Sequence, residues 1–135
     1  MRVSAVIPTW NGLAYLQRLL PSMQGQGFHE VVVVDNGSTD ASTEWVTSQG
    51  ARVIRFPHNR GFAAAINAGA DAATGDVLAI LNNDVRLHPE WLQRIMDALG
   101  DSYALACGKV LNEREPERID ATFDALCLGG TAWRC

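Results

Sequence analysis

Three polar residues close an apolar run: Asn82, Asn83 and Asp84 follow Val77-Leu-Ala-Ile-Leu81. Two amides and a carboxylate in succession offer oxygen ligands to a divalent cation, and partners to the sugar or phosphate of a nucleotide. The run before them has the pattern of a strand buried on both faces, as in parallel sheets covered by helices. Open α/β sheets hold their ligands outside the carboxyl ends of such strands, which is where the triplet falls. The triplet also suits an ordinary strand end turning into a loop. What else reaches that edge decides between the two.

Two further strand ends carry polar groups. Val3 to Ile7 is a short apolar run closed by Pro8-Thr9, and Glu30-Val-Val-Val-Val-Asp35 ends in a carboxylate followed by Asn36-Gly37. In a parallel sheet all three ends share one edge and can line one crevice. Asp35 is either a turn former before Asn36-Gly37 or an acceptor for the imide N–H of a uracil or thymine ring. Asn59-Arg60-Gly61-Phe62 has a similar double reading. It is an ordinary loop and helix start, or a ligand loop in which Gly61 allows close backbone approach, Asn59 meets base or sugar and Arg60 meets phosphate. Trp10 would flank the crevice, whereas Trp45 and Trp91 read as packing residues. Asn67, on a helix of small residues, reads as a structural amide satisfying nearby backbone groups. His29, His58 and His88 are scattered and form no ligand pattern. A dinucleotide glycine fingerprint, a P-loop and a serine nucleophile elbow are all absent.

The elements that must position these groups alternate. Asn11 is a candidate N-cap for a helix carrying Leu13, Leu16, Leu19, Leu20 and Met23 at helical spacing. Pro21 predicts a kink or an end near residue 20. Ser38, Thr39 and Asp40 can cap a second helix that stops near Gly50. Arg52 to Phe56, mixed in polarity, reads as a third strand nearer an edge. Gly61 to Ala73 predicts a helix of small residues able to approach a sheet closely. After Asp84, His88-Pro89-Glu90 predicts a helix with proline at its first position and a stripe of Trp91, Leu92, Ile95, Met96 and Leu99. Ala104 to Val110 reads as a fifth strand. The repeated strand–helix alternation predicts an α/β fold: a Rossmann-like, mostly parallel sheet with helices on both faces. One domain is expected over 1–135, clearly patterned through 111 and irregular from 112 to 135.

Composition narrows the partners. An apolar fraction of 47% with 19% charged residues describes a globular chain rather than a disordered one. A net charge of −4 without a basic run argues against nucleic acid. Cys107, Cys127 and Cys135 form no CxxC pair, which points away from zinc and disulfides and towards a reducing, cytoplasmic setting. Cys107 reads as a small core residue. Val3 to Ile7 is too short for a signal peptide. No stretch approaches the ~20 apolar residues of a membrane span, although a membrane-borne substrate stays open.

Together, Val6-Ile-Pro-Thr-Trp-Asn11, Val34-Asp-Asn-Gly-Ser-Thr-Asp40, Asn59-Arg-Gly-Phe-Ala63 with Asn67 and Gly69, and Leu81-Asn-Asn-Asp84 resemble the family 2 glycosyltransferases of the GT-A fold. Within that family they are similar to the rhamnosyltransferase-like group. The resemblance implies a nucleotide-diphosphate sugar donor, dTDP- or UDP-linked, and a glycan or lipid-linked acceptor. It implies donor contacts from Pro8, Thr9, Asn11, Asp35, Asn36, Asn59, Gly61, Phe62, Asn82 and Asn83. Asp84 would hold Mn²⁺ or Mg²⁺ on the diphosphate, from the place of the family's Asp-x-Asp motif, where Asn82 departs from the first Asp. Family members continue into an acceptor-binding half with an acidic general base. Glu113, Glu115, Glu117, Asp120 and Asp124 do not match its placement, so the chain reads as the donor-binding part. A sheet incomplete in this way is expected to expose an apolar face or open edge and to favour a homo-oligomer.

Overall fold

The computed structural model describes residues 1–100, 104–121, 124–126 and 132–134. They resolve into two compact units, Met1–Leu92 and Gln93–Cys135.

In the first unit β1 (Val3–Thr9), α1 (Leu13–Met23), β2 (Glu30–Asp35), α2 (Ser42–Ser48), β3 (Arg52–Arg55), α3 (Phe62–Ala72) and β4 (Val77–Ile80) follow in strict alternation. The strands form one parallel sheet in the order β3-β2-β1-β4. Successive strand residues face opposite ways, and the valines of β2 divide accordingly. Val33 joins Ala5 and Ile7 in a cluster with Leu16, Leu19, Leu20 and Met23 of α1 and Val46 of α2. Val32 and Val34 pack on the other face with Ala65 of α3 and Phe56. Helices therefore cover both faces, as the alternation predicts. The small residues of α3 serve close approach: a Cβ on Gly69 would run into Val6.

At the amino edge of the sheet Glu30 ties three segments together. Its Oε1 accepts from Ser4 Oγ at 2.7 Å, Thr74 N–H at 2.6 Å and Thr74 Oγ1 at 2.7 Å. Gly75 N–H in turn donates to Ser4 Oγ at 2.8 Å. Led by the Ser4 hydroxyl and then Thr74, these bonds lower the Glu30 carboxyl to about 2.

Several expectations are corrected. α1 does not break near residue 20. Pro21 forfeits its own N–H bond to the preceding turn, and burial of Leu20 and Met23 beside it carries the helix to Met23. Asn11 does not cap α1: Gly12 occupies that position, Asn11 adopts φ +49°, and Leu13 N–H is met by Asp40 Oδ2 at 3.2 Å. β4 is not buried on both faces. It is an edge strand paired to β1 alone, and Leu78 and Ile80 are 43% and 53% exposed. α4 (Trp91–Leu99) begins two residues past Pro89, with Trp91 N–H bonded to the His88 carbonyl. Its expected stripe holds: Leu92 and Leu99 are buried, and Trp91 stacks on Phe28 with ring centroids 6.4 Å apart.

α4 continues into the second unit, where the fifth strand expected over Ala104 to Val110 is reduced, among the described residues, to its last position. Residues 104–109 form no strand, for Ala-Leu-Ala-Cys-Gly has no β-branched residue to favour one. Only β5 (Val110–Leu111) is extended, and it pairs antiparallel with β6 (Ile119–Ala121). A second antiparallel pair joins β7 (Asp124–Leu126) and β8 (Ala132–Arg134). Asn112 Oδ1 organises the intervening loop by accepting from Arg114 and Glu115 N–H at 2.9 and 3.0 Å. Cys107 is exposed rather than a core residue, while Cys127 and Cys135 lie outside the described residues. Among the described residues no helix is long and apolar enough to cross a membrane.

Candidate functional site at the carboxyl edge of the sheet

Parallel pairing brings the three polar strand ends to one edge. Thr9 and Asp35 are register partners, and Asn36 N–H donates to the Thr9 carbonyl at 2.8 Å. From the loop after β4, Asn83 Nδ2 donates to Thr9 Oγ1 at 2.9 Å. Thr9, 4% exposed, thus joins β1, the end of β2 and the Asn82–Asp84 loop. Gly12 lies against this junction, where a Cβ would strike both Asn83 Nδ2 and Thr9 Oγ1.

Asp35 is 1% exposed, at the carboxyl end of β2. Its Oδ1 accepts Ser38 N–H at 2.8 Å, and its Oδ2 accepts the Thr43 hydroxyl. Arg55 Nε lies 3.5 Å from Oδ2, and the same guanidinium donates to the Ser38 carbonyl at 3.2 Å. One loop, α2 and the edge strand thereby hold one carboxylate.

Asn11 Oδ1 accepts Thr39 N–H at 2.8 Å, and Asn11 N–H donates to Ser38 Oγ at 2.8 Å. Asp40 completes this junction, with Oδ2 on Leu13 N–H and Oδ1 on Ser42 N–H. Burial alone would raise the Asp40 carboxyl, but the bonds from Ser42 and Leu13 outweigh it and hold the group below its ordinary value.

The Asn59–Phe62 loop reaches the same edge through Asn36, which is 5% exposed. Asn36 Nδ2 donates to Asn59 Oδ1 at 3.0 Å and to the Gly61 carbonyl at 3.1 Å, while its Oδ1 accepts Arg60 N–H at 2.8 Å. Asn59 Oδ1 also accepts Gly61 N–H at 2.9 Å. Gly61 adopts φ +88°, a backbone state open mainly to glycine. The Arg60 guanidinium lies 4.8 Å from the Phe56 ring centroid. Phe62 and Trp10 are exposed at the lip.

Asn82 and Asp84 are exposed, and among the described residues neither makes a hydrogen bond or ion pair. No group of three or more histidine, cysteine or carboxylate side chains assembles among those residues. A cation here would take one carboxylate and complete its shell with water and ligand phosphates, a mode that suits Mg²⁺. The Asp84 donor set fits that use.

The structure gathers Pro8, Thr9, Asn11, Asp35, Asn36, Asn59, Gly61, Phe62 and Asn82–Asp84 around one edge. Asn67 stands apart, exposed and without a hydrogen bond among the described residues, so it does not satisfy neighbouring backbone groups. The histidines are also peripheral to the edge's chemistry: His29 Nε2 meets Thr74 Oγ1 at 3.3 Å and His88 Nδ1 accepts Glu90 N–H. Sequence reasoning missed Gly12, Thr43 and Arg55. The signal available for Gly12 was its place directly after Asn11, the last residue of the motif.

A family model described as glycosyl transferase family 2 matches residues 4–124. The chain belongs to glycosyl transferase family 2. A pre-mycofactocin glycosyltransferase of Mycobacterium tuberculosis is 34% identical over 128 residues, covering 92% of this chain and 27% of that protein. The dolichol-phosphate mannosyltransferase of Pyrococcus furiosus is 30% identical over 116 residues, 80% of this chain and 33% of the other. Among solved structures, the mannosyltransferase PcManGT from Pyrobaculum calidifontis, in complex with GDP-Man and Mn²⁺, superposes with a TM-score of 0.74 at 25% identity. It covers 86% of this chain and 37% of that one. The sheet is thus that of a GT-A glycosyltransferase. This family 2 domain spans 27–34% of the length of the curated relatives it matches first.

Proposed function

We propose that this glycosyltransferase domain binds a dTDP- or UDP-linked sugar donor at the carboxyl edge and presents the sugar for transfer to a glycan or lipid-linked acceptor. Rhamnose is the sugar that the motif resemblance favours. The observation that carries the reading is Asp84: an exposed carboxylate without a partner among the described residues, on a loop pinned to the strand ends by the Asn83–Thr9 bond. In this reading Pro8, Thr9, Asn11 and Asn83 form the floor. Asp35 accepts the pyrimidine imide N–H with a lone pair its present partners leave over. Asn82 meets the ribose, and Asn59 to Phe62 enclose the diphosphate side, with Arg60 on phosphate. Asp84 would hold Mn²⁺ or Mg²⁺, which when bound neutralises charge on the departing nucleoside diphosphate. The complexes of PcManGT with GDP-Man and Mn²⁺ and of the Mycobacterium tuberculosis glucosyl-3-phosphoglycerate synthase with UDP support this assignment by likeness.

A second reading is a nucleotide-sugar-binding module that needs another segment or chain for catalysis. It is favoured by Glu115, one of the acidic residues beyond Asn112, which is exposed and pairs with Arg118 at 3.8 Å instead of standing as a base. Sugar transfer by these 135 residues alone would exclude that second reading.

Calorimetric titration with UDP, dTDP and GDP, each with and without Mn²⁺, tests the donor site. We expect manganese-dependent binding of the pyrimidine nucleotides, weakened at least about tenfold in Asp84→Ala. Absence of binding by the folded wild type would overturn the proposal.

A further inference from the structure

We propose that Asn36 is a positioning residue that acts on the donor through Arg60, without touching the donor itself. The inference rests on the nucleotide-sugar reading of this edge. The Asn36 amide is buried, and its two N–H groups and one oxygen lone pair are spent on Asn59 Oδ1, the Gly61 carbonyl and Arg60 N–H. These contacts admit only one orientation. A flipped amide would set its oxygen against two acceptors and its NH₂ against an N–H. The main chain is fixed as well, since Asn36 N–H is bonded to the Thr9 carbonyl at 2.8 Å. Next to it, Gly37 has φ +80° and lies so close to the facing loop that a Cβ would sit 2.7 Å from both His58 Cα and His58 C. Two loops far apart in sequence are therefore latched at backbone contact. Arg60 leaves that latch from a backbone held by Asn36, and its guanidinium lies 4.8 Å from the Phe56 ring centroid. Both amide donors of Asn36 are taken by the facing loop, so no N–H of its side chain is left for a ligand.

A double-mutant cycle tests this. UDP with Mn²⁺ would be titrated into the full chain as wild type, Asn36→Ala, Arg60→Ala, Asp84→Ala, Asn36→Ala/Arg60→Ala and Asn36→Ala/Asp84→Ala, with thermal melts confirming folding. Asn36→Ala should weaken binding about tenfold. That factor should largely vanish in the Arg60→Ala background and persist in full in the Asp84→Ala background, because only the first pair is coupled. If Asn36→Ala fails to fold, Asn36→Ser, which removes both amide donors but keeps a small polar side chain, should reproduce the weakening and the coupling to Arg60. Wild-type affinity in Asn36→Ala, or equal multiplication in both backgrounds, would overturn the inference and leave the donor site standing. Failure of the folded wild type to bind would overturn both.

Discussion

Replacing Gly12 by alanine would drive a methyl group into Asn83 Nδ2 and Thr9 Oγ1, the bond that pins the Asp84 loop to β1. We expect Gly12→Ala to cost about 1–3 kcal/mol of stability and to weaken nucleotide binding. Chemical denaturation and titration of the same preparation check both, and wild-type values in each would show that the junction is slack. At this scale the sequence was informative about where and poor about how. Thr9, Asp35 and Asn82–Asp84 were legible because an apolar run announces its own end, and a parallel sheet gathers such ends together. The division of labour among the amides was not legible. Asn36 turns inward and Asn82 outward although both follow a strand, because neighbouring loops decide the matter. Ser38 looked like a helix cap, yet its hydroxyl serves Asn11 N–H.

At the scale of elements, α3 is the best-read helix. Its alanines and glycine predicted close approach, and Gly69 delivers it against Val6 and Val34. Helix propensity favours valine over glycine by only a few tenths of a kcal/mol, while overpacking a filled core costs about 1–3 kcal/mol. Overpacking wins, so Gly69→Val should lower unfolding free energy by about 2 kcal/mol in urea titration; a more stable variant would refute the packing. Where elements were misread, a tertiary contact prevailed over a local rule. Pro21 is tolerated because Leu20 and Met23 are buried beside it, and α1 takes its cap from Asp40, far along the chain. The apolar run of β4 suggested two covered faces, but its place at the end of the strand order leaves Leu78 and Ile80 open.

Across the whole molecule, the first unit has two polar edges with different duties. The carboxyl edge carries the proposed donor site, and the amino edge is bound by Glu30. The Glu30 carboxyl is lowered from 4.5 to about 2, so its contribution to stability is complete above pH 4.5 and is lost as the pH falls towards 2. Glu30→Gln should therefore be less stable than wild type by roughly 1–3 kcal/mol at pH 7, with the gap closing at pH 2–3. Denaturant titrations at the two pH values decide this, and a gap independent of pH would place the effect in packing rather than in charge. The α/β architecture was legible at this scale since alternation survives local errors. The second unit was not. Its short antiparallel pairs have too few residues to show a period, and Ala104–Gly108 imitates a strand by hydrophobicity alone.

The latch at Asn36 has a chemical lifetime as well as a geometry. An asparagine followed by glycine is prone to deamidate, because the next backbone nitrogen can attack the side-chain amide, and asparagine is a thermolabile residue for such reasons. While Asn36 is held by Asn59, Arg60 and Gly61 its amide is not free to swing into that attack. Once the chain unfolds, the protection ends. The aspartate or isoaspartate that forms would face two oxygens where it now donates two hydrogen bonds. Heat and storage should therefore damage the domain at this dipeptide, as at Asn11-Gly12, where Asn11 is exposed, and refolding would not repair it.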